Sequence, residues 1–297
     1  MRLLEIVEIL WKLHPIHYDV LRAIERYLRR YLYVPKDRII RATNIKSPKI
    51  DKVLEYLLRL KLIEIYEGKY TGYSLTYAGL DALALHDLGL TGKITRVGPK
   101  LGVGKEADIH VAYLDDEPRI IKLYRVKPSF KQIRKYRDYA LTAKNWYELV
   151  IKCAKREFYA LRKLYKNNVR VPRPITMNRH IILMEYIDGT ELIKARLVEP
   201  LPIFDAIVDE IVKMLKVGIV HCDLSEYNIL VTADGEVCLI DFPQWVSLKH
   251  PNASEFLKKD LLQIIRYFHR KYHISLKELI EIASKKLQKA GYKIEVE

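Results

Sequence analysis

The chain has 297 residues, of which 49 % are hydrophobic and 30 % are charged, and its formal net charge is +15. The hydrophobic content excludes a disordered chain, and the length predicts two or three folded units. Three cysteines without metal-ligand spacing exclude a disulfide scaffold and a zinc site, which favours a reducing, cytoplasmic compartment. No apolar run approaches membrane-spanning length, so no membrane contact is expected.

Residues 1–85 predict a separate helical domain with a wing. A helix is predicted from Ser47 to Leu60, followed by two strands that meet at Glu67-Gly68-Lys69. Thr76 is predicted to cap a last helix. This order is common in nucleic-acid binders. Residues 1–90, however, carry only 15 basic against 11 acidic side chains, so contact with a protein is an alternative to contact with RNA.

The positive charge is concentrated in residues 119–180, which carry 18 Lys or Arg against three acidic residues. Within this region, the run 127–139 interleaves basic residues with tyrosines, which suits an RNA backbone and stacked bases. A solvated loop without a dedicated partner is the alternative for this run.

The segment that ends at Asp241 carries the strongest chemical signal. Asp223, Asn228 and Asp241 have the spacing of the catalytic loop and metal-binding strand of protein kinases. Asp223 would accept or orient the proton of an incoming hydroxyl, while Asn228 and Asp241 offer the oxygen ligands that Mg²⁺ prefers. Asp234-Gly235 between two apolar runs predicts a hairpin that brings Asn228 and Asp241 together. The sequence therefore predicts phosphoryl transfer.

Two elements that should precede such a loop occur in the expected order. Gly102 and Gly104 form a glycine turn between two strands, where the backbone can approach phosphates. Lys122 lies in an apolar strand and is expected to bind the nucleotide phosphates, with Glu157 on a following helix as its ion-pair partner. The alternative is an edge lysine and a solvated glutamate.

A third element is the apolar strand from Ile181, which runs into a polar turn where a kinase hinge belongs. Backbone groups of Glu185 and Ile187 are expected to bond the adenine edge, and Met184 to lie at the back of the pocket. Met184 could equally be plain core, as a single Met in an apolar strand usually is.

With these residues, the chain resembles the RIO family of atypical serine/threonine protein kinases, in the archaeal-type second class with an N-terminal winged helix. The pattern departs from the family at two positions, where Ala107 replaces a usual Ser and Cys222 replaces a usual Gly. The residues that carry the resemblance are Gly102-Val103-Gly104-Lys105-Glu106, Lys122, Arg137-Asp138-Tyr139, Asp223-Leu224-Ser225-Glu226-Tyr227-Asn228 and Ile240-Asp241-Phe242-Pro243-Gln244.

The resemblance implies an α+β fold in which a winged helix precedes a minimal bilobal kinase. Only the 56 residues from Phe242 to Glu297 follow Asp241, too few for an activation segment and a peptide-binding subdomain. The expected domains are a winged helix over 1–85, a linker over 86–96, an N-lobe over 97–187 with a flexible basic loop over 127–145, and a C-lobe over 188–297.

The resemblance also implies an ATP- and Mg²⁺-dependent enzyme, with Mn²⁺ as an alternative ion, that acts on the precursor of the small ribosomal subunit and its rRNA. It would be a serine kinase that autophosphorylates, at Ser129, or a slow ATPase in which Asp241 accepts the phosphate. The implied catalytic and ATP-binding residues are Asp223, Lys122, Asp241, Gly102, Val103, Gly104, Lys105, Glu106, Glu157, Met184, Glu185 and Ile187.

Two other functions remain open on the residues alone. Small-molecule kinases of the aminoglycoside or choline type share the His-x-Asp-x-x-x-x-Asn loop, although they usually hold acidic substrate pockets. A nucleotide-regulated RNA- or ribosome-binding factor would need no phosphotransfer.

Overall fold

The computed structural model of the protein describes residues 1–103, 106–126 and 143–292. It divides into two compact units, one of residues 1–155 with 176–183 and the other of residues 156–175 with 184–297. Helices and small sheets occur in both units, in agreement with the predicted α+β class.

The first unit begins with the winged helix. Its fourth helix buries Ile50, Val53, Leu54 and Leu57 on one face, and the predicted wing is a hairpin with Glu67 opposite Thr71. The hydroxyl of Thr76 accepts a hydrogen bond of 3.2 Å from the N–H of Gly79, which confirms the predicted cap. Helices α1–α5 span Leu3–Leu10, Pro15–Tyr27, Lys36–Thr43, Lys49–Arg59 and Tyr77–Leu90, and strands β1–β3 span Val34–Pro35, Ile63–Glu67 and Thr71–Leu75.

Helix α5 extends beyond residue 85, because its apolar face continues to the buried Leu88. Residues 86–90, predicted as linker, are therefore helical. Gly92, with φ of +61°, follows the end of the helix, where glycine adopts the left-handed conformation without a steric penalty. The division of the chain into domains stays a prediction.

A five-stranded sheet follows, in the order β4-β5-β6-β8-β7. The β4–β5 hairpin contains the glycine-rich segment, and its register shifts at Lys100. Strands β5 and β6 pair antiparallel, with Lys122 opposite Ile109. The strands span Arg96–Val103, Ala107–Leu114, Glu117–Tyr124, Pro174–Asn178 and Ile181–Glu185.

The second unit contains the chain from the polar turn after β8 to the last described helix. Its core forms where apolar faces of long helices pack, as in the edge-to-face contact of Phe204 with Phe268 at 5.2 Å. Helices α6–α9 span Trp146–Lys166, which begins in the first unit, Pro200–Lys216, Ala253–Tyr272 and Leu276–Lys289, and strands β9–β13 span Gly189–Glu191, Ile219–Val220, Ile229–Thr232, Val237–Leu239 and Val246–Ser247.

The described chain after Phe242 consists of the short strand β13 and the helices α8 and α9. None of the helices within residues 1–103, 106–126 and 143–292 combines the length and apolar character of a membrane span.

Candidate active site

The predicted catalytic loop is fixed by His221, whose side chain is fully buried. Its Nε2 lies 3.0 Å from the carbonyl oxygen of Ile240, and its Nδ1 lies 3.3 Å from the backbone nitrogen of Asp223. A ring that donates from Nε2 and accepts at Nδ1 satisfies both bonds. The ring also packs on Phe242, with centroids 4.4 Å apart. His221 thus ties the loop of Asp223 to the segment that carries Asp241.

The hairpin of β11 and β12 brings the two predicted metal ligands to the same end of the sheet. Ile229 pairs with Leu239, and the N–H of Ile240 donates to the carbonyl of Asn228 at 3.0 Å. The predicted hairpin is therefore confirmed. The amide nitrogen of Asn228 donates to the carbonyl of Asp223 at 2.7 Å, which leaves the amide oxygen as the atom of this side chain that suits a cation.

These donors fit the chemistry of Mg²⁺. The described ranges contain no group of three or more His, Cys, Asp or Glu side chains that could hold a metal ion by themselves. Mg²⁺ is typically held by one or two carboxylates together with substrate phosphates and water. The amide oxygen of Asn228 and the carboxylate of Asp241 suit such a shared site.

Cys222 and Asp241 both adopt left-handed backbone conformations, each with φ of +68°. A side chain in this region is costly, and such residues concentrate at functional sites. The conformation explains why glycine is the usual family residue at position 222. Burial raises the pKa of the Cys222 thiol to about 12, so the thiol is protonated at neutral pH and a redox role is not favoured.

Asp260 of α8 is a site residue that the sequence reasoning missed. Its buried carboxylate accepts hydrogen bonds from the backbone N–H groups of Cys222 at 2.8 Å and Leu224 at 3.0 Å. These two N–H groups flank Asp223, so Asp260 holds the loop from both sides of the predicted base. Burial raises the pKa of Asp260 despite these two bonds. Its only sequence signal is an acidic residue on the inner face of an amphipathic helix.

Gln244 is a second site residue whose role the sequence did not reveal, although it lies in the motif that follows Asp241. Its side-chain amide donates to a carboxylate oxygen of Asp223 at 3.0 Å. The buried Glu157 accepts a hydrogen bond of 3.1 Å from the N–H of Phe242. Predicted as the partner of Lys122, Glu157 thus also supports the Asp241 segment. The pair of Lys122 and Glu157 joins residues of the two units and stays a prediction.

The upstream residues lie in the five-stranded sheet. Lys122 is buried in β6, and its Nζ lies 5.5 Å from the ring centre of Tyr124. Gly102 pairs with Ile109, and a β-carbon at Gly102 would meet no atom of the described residues within 4 Å. The described chain therefore leaves open space beside Gly102. Val103 ends β4, and Glu106 precedes β5.

Some predicted residues lie outside the described ranges. They are Gly104 and Lys105 of the glycine-rich segment and Ser129, together with residues 127–142 of the predicted basic loop. Ala107, the first departure from the family pattern, is described. It begins β5, is buried, and pairs with Tyr124.

The predicted hinge follows β8. Met184 is buried, and the N–H of Glu185 donates to the carbonyl of Arg173 at 2.9 Å. Because this N–H is engaged, the carbonyl is the backbone group of Glu185 that suits the adenine edge. The carbonyl of Ile187 accepts a hydrogen bond from the N–H of Gly189 at 3.0 Å, so the N–H of Ile187 is the backbone group of that residue that suits the adenine edge. Adenine binding by these groups stays a prediction.

Comparison with known protein families agrees with this arrangement. The RIO domain family matches residues 108–279, which is more than half of the chain, and the Rio2 N-terminal family matches residues 10–90. This chain belongs to the RIO family. Its two matched regions are those of Rio2 proteins, and the predicted winged helix and kinase-like fold are both confirmed.

Relatives within the RIO family are found in archaea and eukaryotes. The RIO-type serine/threonine-protein kinase Rio2 of Methanocaldococcus jannaschii is 36 % identical over 257 residues, which cover 83 % of this chain and 93 % of the relative. Serine/threonine-protein kinase rio2 of Dictyostelium discoideum is 36 % identical over 264 residues, which cover 86 % of this chain. The chain spans half the length of the Dictyostelium protein, since the match covers 50 % of it.

The fold is also that of a solved RIO structure. The Rio2 kinase of Chaetomium thermophilum, crystallised as an ADP/Mg²⁺-phosphoaspartate complex, matches with a TM-score of 0.80 and 28 % sequence identity. The match covers 96 % of this chain and 93 % of that chain.

Proposed function

We propose that this protein is an ATP- and Mg²⁺-dependent phosphotransferase, a serine/threonine protein kinase or ATPase that autophosphorylates. The observation that carries the proposal is the support of Asp223 from three sides. Gln244 donates to its carboxylate, and Asp260 accepts from the N–H groups on either side of it. A carboxylate held in this way suits a group that orients an attacking hydroxyl.

The other residues would supply binding and charge. Mg²⁺ would neutralise negative charge that develops on the transferred phosphoryl group. Asn228 and Asp241 would hold it, Lys122 would bind nucleotide phosphates, and the glycine-rich segment would cover them. The ADP/Mg²⁺ complex of the Chaetomium relative supports this assignment of cofactors.

The acceptor of the phosphoryl group is either a hydroxyl or a carboxylate. In the first case Asp223 accepts the proton of a serine hydroxyl, as in autophosphorylation at Ser129. In the second, an oxygen of Asp241 attacks the γ-phosphorus, the bond to the ADP oxygen breaks, and water later hydrolyses the acyl phosphate. The phosphoaspartate of the Chaetomium complex supports the second route.

The test is incubation of the full chain with γ-labelled ATP and Mg²⁺, followed by acid and hydroxylamine treatment of the labelled protein. An acyl phosphate is lost under hydroxylamine, whereas a phosphoserine survives. Asp223→Ala and Asp241→Ala should each abolish labelling and turnover. Glu255→Gln, on the exposed side of α8, should leave both unchanged. Turnover that persists in both alanine variants would contradict the proposal.

As partners we propose the precursor of the small ribosomal subunit and its rRNA, with a cytoplasmic location. Two observations support an RNA partner. Residues 119–180 carry an excess of 15 positive charges, and α4 exposes Lys49, Lys52 and Arg59. The combined variant Lys52→Ala with Arg59→Ala should weaken binding to precursor rRNA and reduce its salt dependence. Unchanged affinity would favour a protein contact for the winged helix.

A further inference from the structure

The junction between the winged helix and the five-stranded sheet is built on a buried carboxylate. Asp81, in the middle of α5, is fully buried. One of its oxygens lies 2.7 Å from Nε2 of His180, and the other accepts from the guanidinium of Arg125 at 2.6 Å. A carboxylate in such a place is tolerated only with charged or hydrogen-bonding partners, so Asp81 depends on both.

Arg125 extends this contact into the glycine-rich hairpin. It follows β6, three residues after Lys122. Its Nε donates to Asp108 at 2.9 Å, and its backbone N–H donates to the carbonyl of Glu106 at 2.6 Å. The fork of the guanidinium therefore bonds α5 through one nitrogen and β5 through another.

Asp108 also bonds a residue of β4. Its second oxygen pairs with Nζ of Lys100 at 2.8 Å, and Asp108 lies opposite Val103 in the sheet. Strand β5 is thus bonded to the guanidinium of Arg125 through Asp108, and strand β4 is bonded to Asp108 through Lys100. Asp81 accepts a hydrogen bond from this guanidinium on the winged-helix side, where the ring of Tyr77 also lies 5.4 Å from it.

A second set of bonds joins the same two parts of the first unit without contacting the glycine-rich hairpin. Arg179, in the turn between β7 and β8, donates twice to Glu25 of α2, at 2.7 and 2.9 Å, and once to Asp87 of α5 at 2.7 Å. The hydroxyl of Tyr147 also donates to Glu25 at 3.1 Å. These bonds hold the winged helix at the β7–β8 turn and at the start of α6, and not at the glycine-rich hairpin.

We infer that Asp81 and Arg125 are positioning residues for nucleotide binding, through which the winged helix sets the position of the glycine-rich hairpin. The inference rests on the proposed function, since it concerns the same nucleotide site. When Asp81 loses its charge, the partly buried guanidinium of Arg125 loses a charged partner, and the bonds that hold Glu106 and Asp108 shift with it. Nucleotide affinity falls, although Asp81 belongs to the winged helix and not to the kinase-like fold.

The coupling is reciprocal, because a ligand that prefers the ordered hairpin stabilises every contact on which that order depends. ATP with Mg²⁺ should therefore slow amide hydrogen exchange in α5 around Asp81. The same nucleotide should change exchange less in α2, which contacts the sheet through Glu25.

The experiment compares Asp81→Asn with Glu25→Gln in the full chain. Both substitutions are isosteric, both remove one charge, and both weaken the same junction. We measure Kd for ATP and Mg²⁺ by calorimetry, and KM and kcat for ATP turnover. Asp81→Asn should raise Kd and KM about fivefold to tenfold and change kcat at saturating ATP by less than about twofold. Glu25→Gln should leave all three within about twofold of wild type.

Arg125→Lys provides the second variant, because it keeps the charge but cannot bond Asp81 and Asp108 through one fork. It should raise the Kd for ATP in the same way as Asp81→Asn. The Kd of the double variant should be no higher than that of either single variant. If Asp81→Asn does not fold, Arg125→Lys against Glu25→Gln decides the question.

The outcomes separate the inference from the proposed function. A wild-type chain that binds no ATP would overturn the proposed function. Wild-type binding with unchanged Kd in Asp81→Asn and in Arg125→Lys would overturn the inference alone. An increase in Kd as large in Glu25→Gln as in Asp81→Asn would also overturn it, since it would indicate general loosening of the junction.

Discussion

Asp260 accepts a hydrogen bond of 2.8 Å from the backbone N–H of Cys222, the residue that precedes the predicted catalytic base. The second oxygen of the same carboxylate accepts from Leu224, the residue that follows it. The loop around Asp223 therefore takes its position from a helix that lies well downstream in the chain. In the proposed mechanism the site would depend on this contact for its geometry, and on the Asp223 side chain for its chemistry.

Asp260→Asn should lower kcat strongly, because an amide accepts through one oxygen and presents N–H groups to the second backbone donor. We expect a loss of about 1–3 kcal/mol in the free energy of unfolding, the usual cost of a buried donor without an acceptor. Turnover assays and urea denaturation measure the two effects. Glu255→Gln on the same helix is the control, and equal turnover in both variants would contradict the role given to Asp260.

The left-handed backbone of Cys222 predicts that glycine is tolerated there better than alanine. A β-carbon in this conformation costs about 1–2 kcal/mol, so Cys222→Gly should be more stable than Cys222→Ala by about 1 kcal/mol. Thermal unfolding of the two variants measures the difference. The same pair at Cys153, inside helix α6, should give the opposite order, since glycine is the poorer helix former. The same order at both positions would show that the conformation at Cys222 has no energetic effect.

Because Gln244 donates a hydrogen bond to Asp223, we expect a substitution of Gln244 to change the pH dependence of turnover. Gln244→Glu replaces a donor to Asp223 with a second carboxylate 3.0 Å from it, which would raise the pKa of Asp223 through repulsion of like charges. The acidic limb of the pH–rate profile should move to higher pH. Gln244→Ala should lower kcat about tenfold with little change in KM for ATP, because it removes orientation and not nucleotide binding. A pH profile identical to wild type in Gln244→Glu would refute this role.

Because His180 is buried, we expect the free energy of unfolding to decrease in mild acid. Burial lowers its pKa below the ordinary 6.5, although the carboxylate of Asp81 opposes this shift. Above pH 6.5 the histidine is neutral in both the folded and the unfolded chain, and its contribution to stability is fully present. As the pH falls below that value, the unfolded chain binds the proton first and stability decreases. His17 and His110 shift in the same direction, in each case mainly through burial.

Urea denaturation between about pH 8 and about pH 5 measures this dependence. His180→Gln keeps an N–H donor toward Asp81 but cannot titrate, so its stability should fall less steeply in acid than that of the wild type. Equal slopes for the two proteins would assign the pH dependence to other groups.

The sequence predicted the local parts of this protein well, because each part is specified by neighbouring residues. The turn residues Asp234-Gly235 and the apolar runs beside them are sufficient for the hairpin that brings Asn228 next to the Asp241 segment. The fourth helix, the wing and the Thr76 cap follow in the same way from apolar spacing, turn residues and capping chemistry. Helix α5 continues to Leu90, because its buried apolar residues extend past residue 85 to Leu88.

The sequence by itself therefore determined the type of fold, and it predicted the residues that would perform the chemistry. Tertiary structure alone decided how those residues are held, as with Asp260 beneath Cys222 and Asp81 beneath Arg125. These partners are 38 and 44 residues apart, and no local pattern relates them. A buried carboxylate meets these partners only when helices pack, because packing removes the water that would otherwise bond it. A hydrogen bond to a distant N–H or guanidinium then satisfies the carboxylate in place of water.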